Sequence, residues 1–433
     1  MMHILVLAYA ISPTRGSEYS VAWNYVTRMS KYHKLTVLYG CSGNHIGDCE
    51  EIERYATGKG IHNVDFSCVK STKWVNILNW CNKKGFLGYT FYLAYKEWHK
   101  LAYKKAIEIV SNNTIDLVHY LGPIGFREPG YLWKLGLPYM WGPIGGANKT
   151  SITLQRNLPK ISKLKFKFRN WATSRQLNMN RLTAALQHTD LLLTCTTENQ
   201  KVFHTIHHKE SIYLPENSIS GDICINQEKF IAPEVYKFIV IGNLIDRKSV
   251  NILFEALCLV KHKEKIVIDI VGDGPMRKSL EEYAKDNLIY NLIKWHGMLS
   301  RQKAVEMFKN AHMHIITSIS EGNATTIWEA MSYGVPTLSF DHCGMHDTLS
   351  NGAGILVPIS HKYSECVKAL AREIDSLIMH PNRFKQLAES TIECAKKCTW
   401  DERENPSSLL QNDYKKTHEW FIWKLNQWKL TFN

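Results

Sequence analysis

A rhythm constrains this chain more than any single residue does: a short apolar run, a turn, then a helical stripe, repeated, interrupted once, and restarted. The apolar runs fall at 3–8, 35–39, 116–120, 138–142 and 190–194, and after the interruption at 237–242, 266–271, 292–296, 312–317 and 336–340. After the first run, Pro13-Thr14-Arg15-Gly16 turns the chain. Ser17 can then cap a helix whose apolar stripe is Ala22, Tyr25, Val26 and Met29. Strands alternating with helices predict parallel, doubly wound α/β sheets. A length of 433 residues exceeds one ordinary core. The polar stretch around 215–233 therefore reads as a linker. We expect an N-terminal domain at 1–217, a linker at 218–235, a C-terminal domain at 236–400, and a last helix over 401–433 that returns toward the N-terminal domain.

Within the second half, one segment carries the most chemistry. Glu321-Gly322-Asn323-Ala324-Thr325 follows the run ending at Thr317 and opens a helix near Thr325, with Glu329 eight residues after Glu321. A strand end feeding a small-residue turn and a helix start leaves backbone N–H groups and a helix dipole facing outward, which suits a diphosphate. Two carboxylates there, without the lysine of a Walker loop, point to gripping sugar hydroxyls rather than a nucleoside triphosphate. A helix-capping Glu321 and a solvated Glu329 form the alternative. Gly272-Asp273-Gly274-Pro275 also leaves a strand for a helix; its glycines permit a tight turn and close approach to a ligand. Gly242-Asn243 leads to the adjacent cations Arg247 and Lys248.

The net charge of +13 is confined to one half. Residues 1–217 hold 27 Lys and Arg against 14 Asp and Glu, and the remainder holds 26 against 26. No acidic residue lies between Glu128 and Asp190. A basic face of this kind implies an anionic partner. Nucleic acid is disfavoured, because no recognition motif accompanies the charge. Eleven cysteines without a Cys-x-x-Cys pair read as reduced cytosolic thiols. The N-terminus lacks a basic region before its apolar run, so no signal peptide is expected.

Taken in order, Gly242 to Lys248, Gly272 to Pro275, Gly297, Glu321 to Glu329, Gly334-Val335-Pro336 and 354–357 resemble the donor domain of retaining glycosyltransferases of family 4. Gly16-Ser17-Glu18 and Gly142-Pro143-Ile144-Gly145-Gly146 resemble a bacterial branch of that family. The resemblance implies the GT-B fold, in which two Rossmann-like domains face each other across a cleft. It also implies a nucleotide-sugar donor as substrate, with neither cofactor nor catalytic metal. Glu321 would hold a donor-sugar hydroxyl near the reacting carbon, and Glu329 the ribose hydroxyls. Lys248 and the amides from Asn323 to Thr325 would take the diphosphate, with Gly16 closing over the phosphates. The chain departs from the family at Asn243, where arginine is usual and Arg247 could substitute, and at Gly322-Asn323-Ala324, where Gly-Phe-Gly is usual. His119 is a candidate sugar contact or a partly buried strand histidine. Glu18 is an acceptor-side candidate or a capping-region carboxylate, and Gly145 and Gly146 join it as acceptor-side candidates.

Two segments mix aromatic and basic residues: 73–98, and 160–171, where Lys163, Lys165, Lys167 and Arg169 alternate with Leu164, Phe166 and Phe168. Such segments suit an anionic membrane surface, although the first is equally a core-facing set. The expected protein is a cytoplasmic enzyme docked on the inner membrane face, glycosylating a glycan or lipid-linked acceptor of bacterial surface polysaccharide. A non-catalytic binding protein that kept the fold is the alternative.

Overall fold

The computed structural model describes residues 1–404 apart from 17, 42–51, 53–54, 56–60, 84–89 and 232. The Ser17 cap, Lys84, Phe86 and Tyr89 of the first aromatic segment, and the final helix beyond 404 lie outside the described residues. Two compact units emerge. Of the described residues, Met1–Asn148 and Ala172–Glu216 belong to the first; Lys149–Trp171 and Asn217–Glu404 belong to the second.

In the first unit the strands are β1 (His3–Ala8), β2 (Lys34–Cys41), β3 (Val64–Lys70), β4 (Leu117–Gly122), β5 (Tyr139–Ile144), β6 (Leu191–Thr194) and β7 (Ile212–Tyr213). They form one sheet in the order β3-β2-β1-β4-β5-β6-β7, parallel throughout. Helices α1 (Glu18–Met29), α2 (Lys73–Lys83), α3 (Thr90–Asn112), α4 (Lys160–Leu177), α5 (Asn180–Gln187) and α6 (Thr197–His207) lie along the chain between them, although α4 as far as Trp171 groups with the second unit. Of the stripe predicted for α1, Ala22, Tyr25 and Val26 are buried together with Val21, while Met29 is half-buried. Trp98 and Tyr95 of α3 sit in the core, so that part of the first aromatic segment is packing. Trp74, Ile77 and Trp80 of α2 face outward instead, each more than half exposed.

The second unit repeats the scheme with β8 (Tyr236–Ile241), β9 (Ile266–Val271), β10 (Ile293–Gly297), β11 (Met313–Ile316), β12 (Thr337–Phe340) and β13 (Gly354–Val357). Its parallel sheet has the order β10-β9-β8-β11-β12-β13. The helices are α7 (Val250–Leu259), α8 (Arg277–Asp286), α9 (Arg301–Glu306), α10 (Thr325–Ser332), α11 (Cys343–Leu349), α12 (Tyr363–Met379), α13 (Pro381–Lys397) and α14 (Trp400–Glu404). In both sheets the strand order reverses beside the first strand, between β1 and β4 and between β8 and β11. At such a switch point neighbouring connections leave on opposite faces and open a crevice at the strand carboxyl ends.

Two departures from the expected domain limits have physical causes. The 218–235 stretch is fastened to the second unit: Ile219 is buried beside Trp328 and Met331, Phe230 enters the main core, and the Ile219 amide donates to the Cys398 carbonyl at 3.0 Å. Residues 149–171 also group with the second unit, because Leu154, Leu158 and Phe166 pack on its core.

Candidate functional site

The β8–β11 switch point is a small recess lined by Gly242, Asn243, Lys248, Ile316, Thr317 and Ser318, among others. Gly242 leaves β8 at φ 148°, and a Cβ there would meet the Lys248 side chain at 3.5 Å. That is ordinary contact, so it is the backbone angle rather than lack of space that calls for glycine where the chain turns off the strand end. Behind it, Thr317 Oγ1 donates to the Lys248 carbonyl at 3.1 Å, and the Ile319 amide donates to the Arg247 carbonyl at 2.9 Å. These bonds tie the two loops of the recess together. Ser318 is 1% exposed, and its hydroxyl finds no hydrogen-bond partner among the described residues. A buried polar group left unsatisfied costs about 1–3 kcal/mol, so this one favours a polar ligand.

Glu321 stands between two cations. Lys248 Nζ lies 2.6 Å from Oε1 and Arg247 Nη1 lies 2.7 Å from Oε2; the Arg247 guanidinium also donates to the Ser320 carbonyl at 2.8 Å. Burial alone would push the Glu321 carboxyl up, but Lys248 and then Arg247 outweigh it and hold it below the ordinary carboxylate range. Two positive charges against one negative leave the triad an anion site by charge balance. Next to it α10 starts at Thr325 with Ala324 in the N-cap position and no side-chain cap. Alanine is a poor N-cap, so nothing from the helix's own cap blocks an external anion.

The turn before α10 is braced from β12. A Cβ on Gly344 would fall 1.4 Å from the Gly322 carbonyl oxygen, so only glycine allows α11 to abut Gly322 and Asn323. His342 Nε2 donates to the Ser318 carbonyl at 3.0 Å, and burial keeps its pKa down. Inside the turn, the Trp328 indole N–H donates to Asn323 Oδ1. Asn323 thus serves the loop's own shape.

The remaining predicted donor residues are less unified. Gly272, at φ 142°, would place a Cβ 2.0 Å from the Gly242 carbonyl oxygen; the Gly-Asp-Gly-Pro turn therefore butts against the β8 loop. Asp273 bonds the Gly274 amide at 2.7 Å and lies 3.6 Å from Arg277. Pro275 precedes α8. Glu329, half-buried on α10, pairs with the exposed Arg301 at 2.9 Å rather than with the Glu321 cluster.

In the first unit, His119 lies mid-strand on β4, between Val6 and Met140 of its neighbours, and is 1% exposed. Its Nε2 is 2.8 Å from the Gly142 carbonyl, and burial pushes its pKa down to about 4. The ring is a neutral, buried donor. Glu18 begins α1, where burial raises its pKa; Gly16 lies in the loop before it. Gly145 and Gly146 have local reasons to be glycine: a Cβ on Gly145 would lie 2.3 Å from Cys195 Sγ, and Gly146 has φ 80°.

Four contributors escape a sequence reading. Ser318, His342 and Gly344 lie outside any motif, and Arg301 sits 28 residues from its partner. Only Gly344, following β12, left a signal of a tight turn.

Residues 225–397 match the family described as Glycosyl transferases group 1. Among curated proteins, the chain is 31% identical over 110 residues to "Protein CapJ" of Staphylococcus aureus, covering 25% of this chain and 28% of that protein. It is 32% identical over 108 residues to the "Lipopolysaccharide 1,6-galactosyltransferase" of Salmonella typhimurium, covering 24% and 30%. The matched stretch spans under a third of either relative. Among solved structures, the pneumococcal O-GlcNAc transferase GtfA, in complex with UDP and GlcNAc, superposes with a TM-score of 0.59 at 15% identity over 97% of this chain and 99% of that one. WaaG, a glycosyltransferase involved in lipopolysaccharide biosynthesis, gives 0.56 at 14% identity over 91% and 95%. The fold is thus GT-B, α/β with two Rossmann-like parallel-sheet units, and the stretch similar to the group 1 glycosyl transferases falls within the second unit.

Proposed function

We propose that this protein is a retaining, metal-independent glycosyltransferase of family 4 type. It moves a hexose from a UDP- or GDP-sugar to a glycan or lipid-linked acceptor in bacterial surface-polysaccharide assembly. The observation that carries this reading is that Lys248, which lines the switch-point recess, and Arg247 both pair with Glu321 in the loop leading to the uncapped start of α10. An arriving diphosphate competes with Glu321 for both cations. Once displaced, the carboxylate is an acceptor in search of donors, which sugar hydroxyls supply. Rupture of the bond between anomeric carbon and phosphate oxygen builds charge on the leaving nucleotide, where Lys248, Arg247 and the α10 amides stabilise it. The acceptor oxygen bonds to the same carbon, and its proton passes to the leaving phosphate. Glu329, relayed by Arg301, remains the candidate for the ribose. The polysaccharide setting is supported by the name of the Salmonella relative. Among the described residues no helix is long and apolar enough to cross a membrane, so peripheral docking is the form of membrane association proposed.

The test is a thermal-shift panel of UDP-, GDP- and ADP-sugars, followed by donor hydrolysis. One donor at 100 times its Kd adds about 2.7 kcal/mol of stability. Stabilisation with hydrolysis that Glu321→Ala abolishes supports the transferase. Stabilisation without any turnover selects the binding-protein alternative.

A further inference from the structure

Residues 160–171 form the front of α4, and the helix sorts their alternating lysines and apolar side chains onto different sides. Inward, Phe166 packs against the core of the second unit. The Ser162 hydroxyl donates to the Asp246 carboxylate, and Arg169 Nη2 donates to Ser320 Oγ at 3.3 Å. Outward, Ile161 is 70% exposed, Leu164 68% and Trp171 60%. Positions 161, 164 and 171 fall on one helical stripe, which Phe168 continues. A helix that only closes a core turns such a stripe inward; here it points to solvent. Lys160, Lys165, Lys167 and Arg175 are exposed beside it, whereas Lys163 falls on the half-buried flank. The stretch from Glu128 to Asp190 contributes no acidic residue of its own between those two.

We propose that α4 docks on an anionic lipid surface, with Ile161, Leu164 and Trp171 entering the boundary between headgroups and acyl chains while Lys160, Lys165 and Lys167 pair with lipid phosphates. Outward apolar side chains flanked by cations, with a tryptophan at the margin, are what an interfacial helix requires. The inner side of the same helix holds Asp246 and Ser320, the neighbours of Arg247 and Glu321. The membrane-facing helix is therefore also a brace for the donor loops. This deepens the lipid-linked acceptor reading and rests on it for its biological setting, but its test does not pass through sugar transfer.

Co-sedimentation of the full chain with phosphatidylcholine vesicles, with and without phosphatidylglycerol, provides that test. The protein should prefer the anionic vesicles by about tenfold or more, and lose that preference in high salt. Replacing Lys160, Lys165 and Lys167 by Gln together should weaken binding about a hundred-fold. The triple variant Ile161→Ser, Leu164→Ser, Trp171→Ser should not bind even at low salt. Both variants lie on the surface, and unchanged melting and unchanged stabilisation by the nucleotide-sugar establish that they are folded. Equal binding to both vesicle types, or either variant binding like the parent, overturns the proposal. So does a dimer in solution that the apolar variant dissolves, which would give this face to a second copy. Vesicle binding as expected in a protein that binds no nucleotide-sugar would sink the donor reading and leave the docking surface standing.

Discussion

Lys248 and Arg247 are not equivalent partners of Glu321. Lys248 lines the recess with its side chain 20% exposed, whereas Arg247 is 35% exposed and is already engaged by the Ser320 carbonyl. Lys248→Ala should therefore lower kcat/KM for donor cleavage by about 10²–10³-fold, and Arg247→Ala by roughly tenfold; steady-state kinetics on the two variants checks the ranking. Glu321→Gln removes the competitor for both cations. It should leave nucleoside-diphosphate affinity equal or higher while turnover falls, a split visible by comparing calorimetric Kd with kcat. His119 makes a negative prediction. A ring whose pKa is pushed down to about 4 stays neutral through the physiological range, so the pH–rate profile should show no inflection near 6.5 that His119→Gln removes.

Between elements, glycines rather than side chains decide how closely the site's loops approach. Gly272→Ala would drive a Cβ into the Gly242 carbonyl at an unfavourable φ of 142°. The variant should lose about 1–3 kcal/mol in urea unfolding and bind the donor less well, since Gly242 must move. Gly344→Ala should be at least as damaging, because its Cβ would come closer still to a backbone carbonyl oxygen, 1.4 Å from that of Gly322 against 2.0 Å at Gly272. The core strands were legible because β1, β4, β8 and β9 are apolar runs of five or six residues bounded by turn residues. The edge strands β3 and β7 were not: β3 mixes Asp65, Ser67 and Lys70 into its run, and β7 has two residues. A strand with one neighbour, half in water, carries a weak pattern. The unit to which the α4 segment belongs was not legible for a different reason. Its period-two alternation is local, while its placement is set by Leu154, Leu158 and Phe166 meeting a core assembled from residues far along the chain.

At the scale of the whole molecule, buried histidines tie stability to pH. Burial, followed by the charges of Lys229 and Lys237, pushes His312 down to about 4, and its Nδ1 accepts from the Lys237 amide at 2.8 Å. A histidine depressed in the folded state takes up its proton first in the unfolded chain. Its stabilisation is thus present above about pH 6.5 and lost as pH falls toward 4, amounting to roughly 3 kcal/mol. Glu321, also held below its ordinary pKa, acts in the same sense at lower pH. Urea unfolding at pH 7 and pH 4.5 should show the loss, and His312→Gln should flatten it. The repeated α/β scheme and the Glu321 loop could be read from the chain because each is local in sequence. Ion pairing at that loop could not, since it depends on β8 and β11 becoming neighbours.

Calorimetric titration of UDP and GDP into the parent protein and into the Arg247→Ala, Lys248→Ala double variant tests the central claim most directly. One nucleotide should bind the parent and lose about a hundred-fold or more in affinity in the variant, as removal of two charge-assisted contacts requires. Equal affinity in the two proteins would show that the recess at the ends of β8 and β11 does not hold the diphosphate.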